Sequence, residues 1–312
     1  MSPSAVASLR VNVFPGGFNW PIFAALEKSF FAREGLRVEL QTTTGSVQQM
    51  TNFAAGKFEI AMTGFDNIVA YVEGQGEAPI GAQPEFFAFL GSDNSFLRLV
   101  TRPEIGRVAD LRGQPVSVDA ATTGYAFALF DMLDSGGLKQ GDYRVVKVGG
   151  MAQRFDDLRR GGNAATLLSA PYDLLAEREG LRVLAHLDGP YQGNVGAARR
   201  GWAENNPDLV VAYVRAYLGA VSWLYQPANR VEACDILRRN VPGMTDELAA
   251  MSYPVLLDDE HGFFRDGRVR KDGVDSVLKL RSRYAKNRRV LNDPSKYVDL
   301  QYWKLACGTP SH

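Results

Sequence analysis

Leu9-Arg10-Val11-Asn12-Val13 runs into Phe14-Pro15-Gly16-Gly17-Phe18-Asn19-Trp20-Pro21, and the chain then reaches Gly35 before Leu36-Arg37-Val38-Glu39-Leu40. The two pentapeptides that bracket this stretch alternate apolar and polar residues, the period-two signature of strands. Between them, Pro21 suits the first turn of a helix, and Ile22, Phe23, Leu26 and Phe30 share one helical face. Gly35 ends that helix. Strand, helix and strand in this order predict parallel pairing through a right-handed crossover, the unit from which open α/β sheets are built.

The pattern continues outward from there. Thr44-Gly45-Ser46 leads into a helix with Val47, Met50 and Ala54 on one side, and Ser46 is an N-cap candidate. Glu59–Met62 reads as a strand, Thr63-Gly64-Phe65-Asp66 turns into a helix, and Phe86–Leu90 and Phe96–Thr101 read as strands. A second unit begins near Arg102, with strands at Val116–Val118, Tyr143–Val148, Ala165–Leu168 and Arg182–Leu187. Its helices follow Thr122-Thr123-Gly124, Gly149-Gly150 and Ser169-Ala170-Pro171-Tyr172. After Gly201 the chain is mostly helical, punctuated by Pro227, Pro242-Gly243 and Pro254. The length of 312 residues exceeds what one core usually serves, so two βα-rich units and a helical tail form a consistent reading.

Bulk properties exclude several functions. Lys+Arg and Asp+Glu are both 35, and a formal net charge of zero gives no attraction to nucleic acid or an acidic membrane surface. Leu209–Tyr225 is strongly apolar, but Arg215 interrupts it and it falls short of the ~20 residues of a span, so it reads as a core helix. Cys234 and Cys307 have no CxxC or metal-type spacing, and no metal or cofactor is expected. The start, Met1 to Ser8, has no basic region and no long apolar run. It fits either a cytoplasmic chain or the trimmed end of an exported one.

In open parallel sheets, ligands bind beyond the carboxyl ends of the strands. Five strand-to-helix turns are rich in Gly, Ser, Thr and aromatic residues. They supply the candidate ligand-binding residues Phe18, Asn19, Trp20, Thr44, Gly45, Ser46, Thr63, Gly64, Phe65, Asp66, Thr122, Thr123, Gly124, Tyr125, Ser169, Pro171 and Tyr172. Helix starts at Ser46, Phe65, Thr123 and Pro171 would each favour an anion by roughly 0.3–1 kcal/mol. The hydroxyls add hydrogen bonds. Phe18, Trp20, Phe65, Tyr125 and Tyr172 add aromatic burial toward the ~8 kcal/mol that a micromolar binder needs. Trp20 and Tyr172, on opposite units, form the expected aromatic clamp. Asp66 either caps its own helix or meets an amine or ring N–H of the ligand.

Five segments, in order, resemble the nitrate, taurine and alkanesulfonate binders and the NMT1/THI5-like binders among the solute-binding proteins of ABC importers. They are Leu26–Glu39, Ala54–Ala61, Val108–Val116, Ala170-Pro171-Tyr172-Asp173 and Trp202–Val210. The resemblance implies an α/β, two-lobed periplasmic-binding-protein fold of type 2, with parallel-rich sheets, helices on both faces and a helical C-terminal segment. Lobe I would comprise residues 1–97 and return as 197–312, with lobe II at 98–196. It also implies a monomer, located in the periplasm, that captures a small organic anion or heteroaromatic (sulfonate-like or a thiamine-type pyrimidine) by hinge closure. Its partners would be that small-molecule ligand and a membrane permease.

Catalytic patterns are sparse: there is no Walker A sequence, GxSxG elbow, HExxH or GxGxxG. Asp258-Asp259-Glu260-His261 reads as an exposed acidic turn, because consecutive side chains point in different directions. The expectation is a protein without catalysis. The alternatives left open are an enzyme on the same scaffold, such as a desulfinase-like hydrolase, or a cytoplasmic ligand sensor.

Overall fold

The computed structural model describes residues 6–81 and 84–308. Met1 to Ala5, part of the start read for an export signal, and His312 lie outside the described residues. Two five-stranded sheets organise the chain. The first sheet contains β1 (Ala7–Val13), β2 (Leu36–Thr42), β3 (Ile60–Gly64) and β4 (Phe86–Gly91). The second contains β5 (Arg98–Thr101), β6 (Pro115–Val118), β7 (Arg144–Lys147), β8 (Ala165–Leu168) and β9 (Arg182–His186). The chain then returns to the first sheet as β10 (Asn194–Arg199). The orders are β2-β1-β3-β10-β4 and β7-β6-β8-β5-β9.

The opening unit forms as its pattern requires. β1 pairs in parallel with β2, from Ala7 opposite Leu36 to Val13 opposite Thr42. The intervening helix breaks in two, α1 (Trp20–Glu27) and α2 (Phe30–Arg33), at Ser29, whose φ of 58° is left-handed. α3 (Ser46–Ala54) and α4 (Phe65–Val72) complete the first unit. α5 (Gly124–Ser135), α6 (Met151–Arg159) and α7 (Tyr172–Arg178) serve the second. The return segment carries α8 (Arg200–Asn205), α9 (Pro207–Leu224), α10 (Arg230–Asn240), α11 (Asp246–Leu256), α12 (Lys271–Tyr284) and α13 (Gln301–Ala306).

Two local expectations need correction. β10 has no strand-like signature, because Gly196, Ala197 and Ala198 have low β-propensity. It forms because it is antiparallel to both β3 and β4 in a fully buried position, where small residues fit against Phe89 and Leu90. Pro254 lies inside α11 and does not end a helix. It falls in the last turn, where the missing N–H removes a single ladder bond.

One apolar core packs α1, α9, α10 and α11 on one face of the first sheet. A second core joins the opposite face to the second sheet and to α12. A third, around Phe155, Leu168 and Tyr172, covers the outer face of the second sheet. α9 is the Leu209–Tyr225 segment, buried in the first core. No helix among the described residues is long and apolar enough to cross a membrane.

Two segments cross between the sheets, residues 92–97 and 187–193. They are tied together: Ser92 N–H donates to Asn194 O at 2.9 Å, Gly193 N–H to Asp93 O at 2.9 Å, and Leu187 N–H to Leu97 O at 2.9 Å. The Asp93 carboxylate, wholly buried, accepts from the amides of Ser95 and Asn194. Burial pushes its pKa up, while these bonds favour the ionised form.

Candidate functional site

The carboxyl ends of β1, β2, β3, β6 and β7 face one gap. Between the sheets they enclose a cavity of about 70 Å³, lined by Phe14, Pro15, Phe18, Thr43, Thr44, Gly64, Asp66, Asn67, Asp119, Thr123, Gly124, Tyr125, Gly150, Met151, Ala152, Gln153, Arg154 and Asn194. At roughly 10–15 Å³ per water on this measure, it holds about five to seven water-sized groups.

Of the expected contacts, Phe18, Thr44, Gly64, Asp66, Thr123, Gly124 and Tyr125 line the cavity. Gly124 has a steric reason to be glycine: a Cβ there would stand 2.3 Å from the Asp66 Cβ. Thr123 is a genuine N-cap, its hydroxyl accepting from Ala126 N–H at 3.4 Å and donating to Ala120 O at 2.9 Å. Burial pushes the Tyr125 hydroxyl pKa far up, so it stays protonated.

Other candidates stand one layer behind. Thr63 Oγ1 accepts from Asn67 Nδ2 at 2.9 Å and so orients a lining side chain. Asn19 Nδ2 donates to Phe14 O at 2.5 Å and fixes the aromatic loop. Ser169 Oγ lies 3.2 Å from the sulfur of Met151. Thr122 presents its carbonyl to Arg281, not its hydroxyl to the cavity. Gly45, not Ser46, is the N-cap of α3, and Ser46 is its first residue.

The aromatic clamp does not form. Trp20 is fully buried, donates from Nε1 to Ala233 O at 2.9 Å, and meets Tyr253 edge-on at 5.9 Å. Tyr172 packs on Phe155 at 6.0 Å, on the outer face of the second sheet, and Pro171 beside it is buried. Phe65 is buried against Tyr297. Large rings at helix starts are drawn into whichever core is closest, because full burial gains more than partial exposure in a small cleft. Asp66 neither caps α4 nor waits for an amine. Arg281 Nε donates to it at 2.7 Å, and the same guanidinium donates to Thr122 O at 2.6 Å and Gln75 Oε1 at 2.9 Å.

The helix starts are also occupied. Ser46 N–H donates to Asp119 Oδ2 at 3.1 Å, Phe65 N–H to Gly193 O at 2.8 Å, and Tyr172 N–H to Ser169 O at 2.9 Å. Besides α5, whose start lines the cavity at Thr123, Gly124 and Tyr125, a helix outside the five candidate turns opens on it, α6. Gly150 is its N-cap, and every residue from Gly150 to Arg154 lines the cavity. First-turn amides have no partner within their own helix. The Gly149-Gly150 pair before a helix was the sequence signal for this sixth turn.

Arg154 is the residue that no sequence pattern marked. It is 3% exposed, and Nη1 donates to Leu167 O at 2.9 Å and Thr166 Oγ1 at 3.2 Å. Its Nε has no partner, and no described ion pair involves it. Burial pushes its pKa down to about 10, against the opposing influence of Asp119, so it is charged at neutral pH. A buried guanidinium without a carboxylate, at the start of an open helix, is a receptor for an anion. Cys234 and Cys307 are free thiols, and neither lines the cavity. Asp258 accepts from the amides of Glu260 and His261, which closes the acidic turn on itself.

The fold and its cleft can be set beside known proteins. The periplasmic nitrate-binding protein NrtA from Synechocystis PCC 6803 aligns with a TM-score of 0.81 at 14% identity, over 99% of this chain and 90% of that one. The periplasmic aliphatic sulphonate binding protein SsuA from Escherichia coli aligns with a TM-score of 0.70 at 18% identity, over 96% and 92%. The desulfurization enzyme DSZB aligns with a TM-score of 0.63 at 15% identity, over 96% and 99%. At these identities the likeness shows a shared fold. No curated protein sequence matches the chain. The family model described as NMT1/THI5 like matches residues 19–229, more than half of the sequence. The chain therefore belongs to the NMT1/THI5-like family, on the α/β fold that periplasmic solute-binding proteins share.

Proposed function

We propose that the protein is the solute-binding component of an ABC importer, closing around a small organic anion whose charged end is held by Arg154 and the first turn of α6. The buried, carboxylate-free guanidinium of Arg154 carries this reading. An anion beside the guanidinium offsets the desolvation of the cation. Phe14, Phe18, Tyr125 and Met151 give the rest of the ligand an apolar bed.

Among the described residues, one lobe is built on the first sheet and takes all of β10, so that its return begins at Asn194 and not at residue 197, and the other is built on the second sheet, with the hinge at the two crossing segments. Membership of the NMT1/THI5-like family and a fold shared with periplasmic binding proteins support a periplasmic location and delivery to a permease. Binding without turnover is favoured over a desulfinase-like hydrolase by the cysteines, since neither thiol reaches the cavity.

Thermal-shift and calorimetric titrations with short alkanesulfonates and carboxylates test the reading. Saturating ligand should raise Tm and contract the radius of gyration, with the ligand recovered unchanged. Arg154→Gln should abolish the response. A response that survives Arg154→Gln removes the anion reading, and consumption of the ligand at a catalytic rate removes the non-enzymatic one.

A further inference from the structure

The cavity holds a second charge that the anion reading leaves unused. Asp119 follows β6 and lines the cavity from the second unit. Its described hydrogen bond is the one from Ser46 N–H to Oδ2 at 3.1 Å, and among the described residues no cation lies within 4.0 Å of it. Gly45 permits this approach, since a Cβ there would stand 3.2 Å from Asp119 Oδ1. The other lining carboxylate, Asp66, is already neutralised by Arg281. The cavity therefore presents one cation, Arg154, and one carboxylate, Asp119, that feel each other's charge but form no ion pair within 4.0 Å.

An anion seated on Arg154 lies in the field of the Asp119 carboxylate, which already acts on that guanidinium across the cavity, and at low effective dielectric the repulsion weakens its binding. A ligand with a protonated nitrogen at its other end reverses the sign of the Asp119 interaction. Building on the anion reading, we infer that the ligand is a short zwitterion, its acidic group on Arg154 and the α6 start and its ammonium on Asp119. The aromatic residues Phe14, Phe18 and Tyr125 line the same cavity, and aromatic rings suit a cation beside a carboxylate.

The test compares matched pairs that differ only in the amine: β-alanine against propionate, and 3-aminopropanesulfonate against propanesulfonate. Calorimetry at neutral pH on the full chain should show the amino member of at least one pair binding 10-fold or more tightly than its partner. In Asp119→Asn that preference should fall to within about 3-fold, even if both affinities drop because the contact with α3 is weakened. The ratio within a pair is insensitive to such a structural loss. Equal or tighter binding of the unaminated members in the unaltered protein, with Arg154→Gln still abolishing it, overturns the zwitterion and leaves the anion reading standing. Failure of all four compounds to bind, or indifference to Arg154→Gln, overturns both. Retention of the preference in a folded Asp119→Asn overturns the assignment of the ammonium to Asp119.

Discussion

Arg281 and Arg154 are both buried arginines close to the cleft, yet one is saturated and the other is not. Arg281, from α12, meets Asp66, Thr122 O and Gln75 and joins the first unit to the second. Arg154, from α6, has two bonds from a single nitrogen and none at Nε. A saturated buried ion pair fixes geometry. Removing one member strands the other in a low-dielectric interior. An unsaturated buried cation is a cost that folding alone does not recover, and an anion from solution can recover it. The contrast separates scaffold from receptor among residues of the same chemical type.

Four measurements sharpen or break that contrast. The largest effect is expected at Arg281→Met, which leaves Asp66 buried and unpaired and should lower unfolding stability by about 3–5 kcal/mol in denaturant melts. A loss below about 1 kcal/mol would mean that Arg281 is not scaffold. Trp20→Ala should likewise cost about 3–5 kcal/mol while leaving the affinity of the folded protein unchanged, since its ring is packed in the core. A specific loss of affinity there would return Trp20 to the binding surface.

The third measurement uses pH. Asp173 is buried beside Arg98, whose Nε stands 3.1 Å away, and its carboxylate oxygens lack an aligned hydrogen bond. Burial outweighs the pull of Arg98 and raises its pKa from 3.8 to about 6. The folded state then holds the proton more tightly than the unfolded chain. Stability from this group is full below about pH 4 and is lost, by up to about 3 kcal/mol, as pH rises through about 6. Asp173→Asn should remove that fall, gaining on the original protein at pH 7 but not at pH 4. A parallel pH profile for the two proteins would refute it. The smallest effect on folding is expected at Arg154→Gln: affinity for the anion should fall about 100-fold, near 2.7 kcal/mol, while stability changes by less than about 1 kcal/mol. A large loss of stability would make Arg154 a second Arg281.

Much of the fold was legible because period-two and helical patterns report which face of each element is buried. Leu9–Val13 and Leu36–Leu40 formed as read, while the helix between them formed in two pieces, broken at Ser29. β10 escaped because its small residues have no strand preference, and its place between β3 and β4 exists only once those two strands stand side by side in the first sheet. The site was legible as a set of turns, and less so as a set of side chains. Phe18, Thr123, Gly124 and Tyr125 reached the cavity from turns that the sequence marks. Trp20, Phe65 and Tyr172 started from similar turns and were taken into cores.

The sequence by itself determined that βα units repeat, that their loop-bearing ends carry glycine, hydroxyl and aromatic residues, and that the charge is balanced. Those properties are local, written in periodicity and turn chemistry. Only the tertiary structure decided which charges find partners. Asp66 and Arg281 lie 215 positions apart and cancel, while Arg154 and Asp119, nearer in sequence, line one cavity without pairing. Charge compensation in a folded interior depends on distances of a few ångströms between elements, and no local pattern in a chain encodes those distances.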